Sequence, residues 1–234
     1  ETDFTSNVDA LLTAVTPQTK LVFLANPNNP TGTILPVSEV ARLVNGLRSD
    51  VVLVLDLAYG EFTGFDYCMA IHELVLEREN VIVTRTFSKA FGLAGLRVGW
   101  AHASAWMLPG FYAARGMGSV NAMAQAAAVA AINDIAIVEQ RVAQTLHERD
   151  RVAKALQDMG IFCLPRGANF LLARIGNHGF EVTEDMVLHL FDAAGIIVNR
   201  TRETGLEHCF RFCLSLPKHN DLLLDEARNF MAHL

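Results

Sequence analysis

Basic runs are missing from this sequence. Its 19 lysines and arginines are outnumbered by 25 aspartates and glutamates, for a formal net charge of -6. Without a basic stripe, the charge argues against nucleic acid and anionic membrane surfaces as partners. Cysteine is scarce as well: Cys68, Cys163, Cys209 and Cys213 form no Cys-x-x-Cys pair, which points to reduced packing thiols rather than a disulfide framework or a zinc site. His147, His189 and His208 lack metal-ligand spacing, and no metal centre is expected. No apolar run is long enough to span a bilayer. The longest alanine-rich stretch, residues 122–132, reads as a buried helix opened by Ser119 or Asn121 as its cap. Nothing resembles a signal peptide, and repeats and low-complexity linkers are also lacking.

What the sequence does contain is core material: 51% of its 234 residues are hydrophobic and 19% charged, a soluble cytosolic composition with enough apolar surface for one large core or two smaller ones. Apolar strand patterns at residues 21–25, 51–56, 81–85 and 97–102 alternate with helical patterns such as 37–47, after a short amphipathic opening helix around Leu11 and Leu12. That rhythm predicts an α/β fold with a mainly parallel sheet. A long helical pattern follows over 135–159, stopped by Gly160. Beyond it, short strands at 161–164, 170–173, 196–199 and 210–214, with helices at 183–194 and 218–233, suggest a separate, smaller α+β domain. The predicted division is 1–134 and 135–234.

Three segments carry chemistry. The stretch Arg85-Thr86-Phe87-Ser88-Lys89-Ala90-Phe91-Gly92-Leu93-Ala94-Gly95-Leu96-Arg97 follows a strand, where an α/β sheet releases its chain into a ligand loop. Thr86 and Ser88 offer hydroxyls, and Arg97 offers a charge-assisted and bidentate-capable donor set, which together suit a phosphate. Lys89 beside them is placed to form a Schiff base with a phosphate-bearing aldehyde. The second segment, Asn26-Pro27-Asn28-Asn29-Pro30-Thr31-Gly32, is a turn signal after an apolar run. The third, residues 51–59, is a buried-type strand ending in Asp56, with Tyr59 three residues later. A carboxylate there faces the ligand crevice and needs a partner if buried.

Together, in this order and spacing, the segments resemble the fold-type I pyridoxal phosphate enzymes, specifically the class I and II aminotransferases, and within them the histidinol-phosphate aminotransferases. Residues 20–103 carry the likeness most closely, while Ala168-Asn169-Phe170-Leu171-Leu172 and Phe210-Arg211-Phe212-Cys213-Leu214-Ser215 look like family segments too. The resemblance implies pyridoxal 5'-phosphate as cofactor, a small-molecule amino acid and a 2-oxo acid as substrates, and a cytoplasmic homodimer with shared sites. It gives Lys89 the Schiff base and the proton transfer, and Asp56 the pyridine nitrogen. Tyr59 and Asn29 fall to the ring's phenolic oxygen, and Thr86, Ser88 and Arg97 to the phosphate. Arg211 takes the substrate α-carboxylate, a task suited to a planar fork, and Asn169 is a further candidate for substrate contact. In 210–214 the alternation sets the phenylalanines and leucine on one face and Arg211 with Cys209 and Cys213 on the other. Trp100 and His102 read as packing residues.

Two departures qualify the resemblance. Full-length relatives carry a further stretch before the equivalent of Glu1, including part of the phosphate site and the aromatic residue that stacks on the ring. This chain is therefore expected to be a fragment that binds cofactor weakly by itself. The arginine that in relatives follows the GII-V-type strand comes one position late here, at Arg200, with Arg202 nearby, and a one-residue slip in a strand turns a side chain to the other face. That opens the substrate to aromatic or other amino acids. Two further readings stay open: a decarboxylase on the same scaffold, and a non-catalytic ligand-sensing module. The resemblance suggests a cis bond at Asn29-Pro30, although only a small minority of X-Pro bonds in folded proteins are cis.

Overall fold

The computed structural model describes residues 3–164, 167–176 and 180–234. Contacts gather these into two compact units, Glu1–Asn29 with Thr33–Val142, and Pro30–Gly32 with Ala143–Leu234.

The first unit is built on a four-stranded sheet of β1 (Leu21–Ala25), β2 (Val52–Asp56), β3 (Val81–Thr86) and β4 (Gly99–Ala103), in that spatial order. Strands β1 to β3 run parallel and β4 returns antiparallel to β3. Register fixes what each face carries. Leu24, Leu55 and Val83 align in one row, all buried, in a core they share with α2 (Val37–Gly46) and α3 (Phe65–Glu77). The next row, Ala25, Asp56 and Thr84, points to the opposite face because side chains alternate along a strand. That face is the open one in this chain: Phe23, on the same side as Asp56, is 69% exposed on the edge strand.

The opening helix is α1 (Val8–Thr13), capped by the Asn7 side chain. Helix α3 had no counterpart among the expected elements. It starts without a side-chain cap, after Gly64 at φ 98°, so the usual polar start signal is missing from its sequence. After α4 (Leu108–Ala114), α5 (Ala122–Asn133) is capped by Asn121, whose side chain accepts from the Ala124 N–H. It is not the buried helix its composition suggests: only Ala124 and Ala128 are buried, while Met123, Val129 and Ile132 are exposed. Among the described residues no single helix is long and apolar enough to cross a membrane.

Asp134 separates α5 from α6 (Ile135–Asp158), but the compact units part within α6, between Val142 and Ala143. In the second unit, β5 (Ile161–Leu164), β6 (Phe170–Ile175), β7 (Asn199–Arg200) and β8 (Phe210–Cys213) form an antiparallel sheet in the order β5-β6-β8-β7. Its core draws on Val152 and Leu156 of α6, Met186 and Leu190 of α7 (Phe180–Ala194), and Leu223 and Leu224 of α8 (Pro217–Met231). Gly160, at φ 82°, ends the long helix as expected. The strand expected over 196–199 is instead a two-residue strand at Asn199–Arg200, sharing only Asn199 with the expected range, and that expected from Arg97 begins at Gly99, since Arg97 itself is left-handed at φ 52°.

Candidate active site

Because β1, β2 and β3 are parallel, their carboxyl ends emerge at one edge of the sheet, and the three chemistry-bearing segments leave from that edge. Asp56 closes β2. It is exposed rather than buried, and its Oδ1 accepts the Ala58 N–H at 2.9 Å, an Asx turn that aims the chain into the next segment. The expected buried partner is thus not required, because water solvates the carboxylate. Tyr59, 6% exposed, starts the 3-10 turn Gly60–Thr63.

Lys89 is half-buried, with its Nζ 5.1 Å from the centre of the Tyr59 ring. Among the described residues the ammonium makes no hydrogen bond or ion pair. The loop carrying it is held by its apolar members. Phe87 packs with Val98, Ala124 and Ala128, its N–H donates to the Val98 carbonyl at 3.1 Å, and its carbonyl accepts from the Leu93 N–H at 2.9 Å. On the polar side, Thr86 Oγ1 accepts the Ser88 N–H at 3.1 Å, and Arg97 reaches Ser88 Oγ at 3.4 Å and the Ala94 carbonyl at 3.1 Å. Two hydroxyls and an exposed guanidinium therefore stand on one short loop beside an uncommitted amine. Gly99 permits the loop's return: a Cβ there would lie 2.6 Å from the Arg85 carbonyl, too close for any side chain.

The turn after β1 is braced by a buried residue whose local sequence marks only a turn. Asn26 Oδ1 accepts the Leu35 N–H at 2.8 Å and its Nδ2 donates to the Leu35 carbonyl at 3.2 Å and to the Tyr67 hydroxyl. Tyr67 donates in turn to the Leu35 carbonyl at 2.7 Å, and burial pushes its phenol up to about 12. Asn29 lies exposed in that turn. Among the described residues the cis peptide bond is at Asn26-Pro27, not at Asn29-Pro30.

In the second unit, Arg211 stands mid-strand on β8, half-buried, its guanidinium 5.0 Å from the Phe170 ring centre. The alternation holds for Phe210 and Phe212, both buried, and for exposed Cys213, whereas Cys209, before the strand starts, is buried. Asn169 precedes β6, and its carbonyl accepts the Leu214 N–H at 2.9 Å. A cavity of about 570 Å³ beside Arg211 is lined also by Asn199, Cys213, Ser215 and His219. The late arginine turns away from it. Asn199 sits opposite Arg211 and Arg200 opposite buried Phe210, and Arg200 pairs with Glu184 of α7. The position that shares the Arg211 face is therefore an asparagine.

Sequence reasoning also misses Glu61 and Arg85, an ion pair at 2.6 Å with side chains 5% and 9% exposed. Each alone looks like a surface charge, and only the fold brings them together. Trp100 and His102, read as packing residues, do pack: Trp100 stacks on His72 at 5.2 Å, and His102 meets His72 through their Nδ1 atoms at 3.1 Å.

Comparison with known proteins matches residues 1–229 to the family described as aminotransferase class I and II. The chain is 44% identical over 233 residues to the histidinol-phosphate aminotransferase of Granulibacter bethesdensis, covering 99% of this chain and 62% of that protein. Likewise it is 42% identical to the enzyme of that name from Rhodopseudomonas palustris, at 99% and 63% coverage. It thus spans under two thirds of the length of the curated relatives it matches. Among solved structures it resembles the Sinorhizobium meliloti histidinol-phosphate aminotransferase in complex with pyridoxal-5'-phosphate (TM-score 0.90, 28% identity, 97% of this chain and 61% of that one). The L-threonine-O-3-phosphate decarboxylase of Porphyromonas gingivalis is also similar (TM-score 0.78, 25% identity, 91% and 65%).

Proposed function

The chain belongs to the class I and II aminotransferase family, and from that premise we propose that the intact protein is a pyridoxal phosphate-dependent aminotransferase. It would move an amino group between histidinol phosphate or an L-amino acid and a 2-oxo acid such as 2-oxoglutarate, with the cofactor assigned to residues 1–134 and the substrate carboxylate to 135–234. One observation carries the reading. Lys89, an amine without hydrogen bond or ion pair among the described residues, lies against the Tyr59 ring on a loop that also holds Thr86, Ser88 and Arg97, at the sheet edge where Asp56 ends its strand.

This donor set fits the cofactor: hydroxyls and a guanidinium for a dianionic phosphate, a free amine for an aldehyde, and a carboxylate for a ring nitrogen. Pyridoxal phosphate, when bound, supplies an electron sink conjugated to the substrate Cα. Thr86, Ser88 and Arg97 hold the phosphate end. Asp56 accepts a hydrogen bond from the pyridine nitrogen and keeps its proton in place. Tyr59 and Asn29 would hydrogen-bond the ring's phenolic oxygen and so help to orient it. The Lys89 amine would hold the aldehyde end and serve as the base that takes up and gives back the substrate's Cα proton. Arg211, with Asn169, binds the α-carboxylate of the amino acid or 2-oxo acid. Histidinol phosphate has no carboxylate and would meet the same guanidinium differently.

We also assign the protein to the cytoplasm as a homodimer. Four free thiols support a reducing compartment, and the exposed Phe111, Tyr112, Met123 and Val129 of α4 and α5 support an apolar interface. The test uses the full-length protein with a panel of donors, histidinol phosphate and aromatic amino acids included, and 2-oxoglutarate as acceptor. Borohydride reduction followed by peptide mass analysis should mark Lys89. No amino-group exchange with any donor would remove the reading, and carbon dioxide release in place of exchange would turn it to decarboxylation.

A further inference from the structure

Behind the face that carries Asp56 and Thr86, the opposite side of the same sheet holds a polar cluster with no part in the chemistry proposed above. Arg85 precedes Thr86 and points the other way. It donates to Glu61 Oε1 at 2.6 Å and to His72 Nε2 at 3.3 Å. Arg85 carries no acceptor, so His72 accepts at Nε2 and bears its proton on Nδ1. That proton goes to His102 Nδ1 at 3.1 Å, which leaves the His102 proton on Nε2. The Arg85 guanidinium also lies 5.5 Å from the ring centre of Trp100, its cross-strand neighbour on β4. The 3-10 turn, α3, β3 and β4 thus all meet at one guanidinium.

Burial of this pair is hard to explain by stability. Its side chains are 5% and 9% exposed, and Glu61 Oε2 and Arg85 Nε have no hydrogen-bond partner among the described residues. Desolvating two charges with hydrogen bonds left unmade commonly costs more than apolar residues of the same size would. Location explains it better. Glu61 is two residues after Tyr59, and Arg85 is one before Thr86 and four before Lys89. The guanidinium also lies under Gly60, where an added Cβ would come 3.4 Å from Arg85 Cζ and 3.1 Å from Cys68 Sγ. The turn that begins at Tyr59 therefore rests directly on the residue that launches the lysine loop.

We propose that Arg85 and Glu61 are a positioning pair, locking the Tyr59 turn to the lysine loop so that the phenol and the amine meet the cofactor ring in one fixed relation. This rests on the functional reading above. The experiment uses the full-length protein as wild type, Arg85→Met and the double variant Glu61→Leu/Arg85→Met. Each is measured for thermal stability without cofactor, for pyridoxal phosphate affinity by absorbance titration, and for the pH midpoint of the visible band. The single variant should lose stability, because it strands a buried carboxylate, and the double variant should regain it. Both should bind the cofactor about tenfold or more weakly, with a displaced midpoint, because small misplacements at a site are amplified. Recovery of affinity and midpoint along with stability in the double variant would reduce the pair to a structural role and overturn the proposal, as would wild-type values in the single variant. Should neither fold, Glu61→Gln decides between the two roles, with weakened binding expected and unchanged binding overturning the proposal. A wild-type protein with no visible band would instead count against the functional reading.

Discussion

The two sheets have four strands each and place their chemistry in opposite ways. In the first unit, parallel strands deliver their carboxyl ends to one edge, so Asp56, the lysine loop and the turn at Asn29 gather there although they are far apart in sequence. In the second, antiparallel strands send alternate ends to opposite edges. Arg211 therefore stands mid-strand on one face, with its guanidinium over Phe170 and buried phenylalanines on either side. Parallel pairing concentrates function in loops, where backbone and side chains both reach a ligand. Antiparallel pairing confines it to the alternation of a single strand, where one residue's shift reverses the outcome, as Arg200 demonstrates by pairing with Glu184.

The sharpest way to break this contrast is at the edge of the parallel sheet. In the full-length protein Asp56→Ala should lower kcat by roughly 10²–10³, the scale of losing one preorganised electrostatic group, while cofactor remains bound through the loop. Loss of cofactor together with activity would show Asp56 to be an anchor instead. Arg211→Lys should act on the substrate side alone, raising KM for the carboxylate substrate about tenfold to a hundredfold with cofactor affinity unchanged, since an ammonium cannot replace a bidentate fork. An unchanged KM would leave the Arg211 face without a function.

Stability sharpens the comparison further. Phe170→Ala should destabilise the protein by about 3–5 kcal/mol in chemical denaturation, because Phe170 is 1% exposed in the second unit. By contrast, Phe23→Ser on the open face of the first sheet should fall within about 0.5 kcal/mol in this chain. Equal effects would mean that the open face is covered in solution. A pH dependence accompanies these effects. Burial and the nearby Arg85 and His102 bring His72 down to about 4, so the folded state binds this proton less readily than the unfolded chain. Its contribution to stability is present above the ordinary histidine range and is lost as pH falls from about 6.5 toward about 4. His72→Gln should flatten that segment of the curve, and an identical slope in both proteins would show that other groups set it.

Much of this was legible before the fold. The apolar runs of β1, β2 and β3, the capped start of α5 and the glycine stop after α6 are local signals, and so are the lysine loop and the strand-ending Asp56. Helix α3 was not legible, because Phe65–Glu77 begins after an uncapped glycine and mixes exposed Phe65, Met69 and Leu76 with buried Cys68 and Ile71. Asn26 looked like one more turn asparagine, and its brace to Leu35 and Tyr67 exists only once α3 carries Tyr67 over the turn.

By itself, then, the sequence determined which chemical groups are available and the strand ends and loops that hold them, because capping, alternation and turn geometry act over a few residues. Tertiary structure alone decided which sheet face stays open beside Asp56, which way Arg200 points, and that Glu61 and Arg85 bury their charges against each other. Those outcomes depend on strand register and on contacts between distant segments, and neither leaves a periodic trace in the chain.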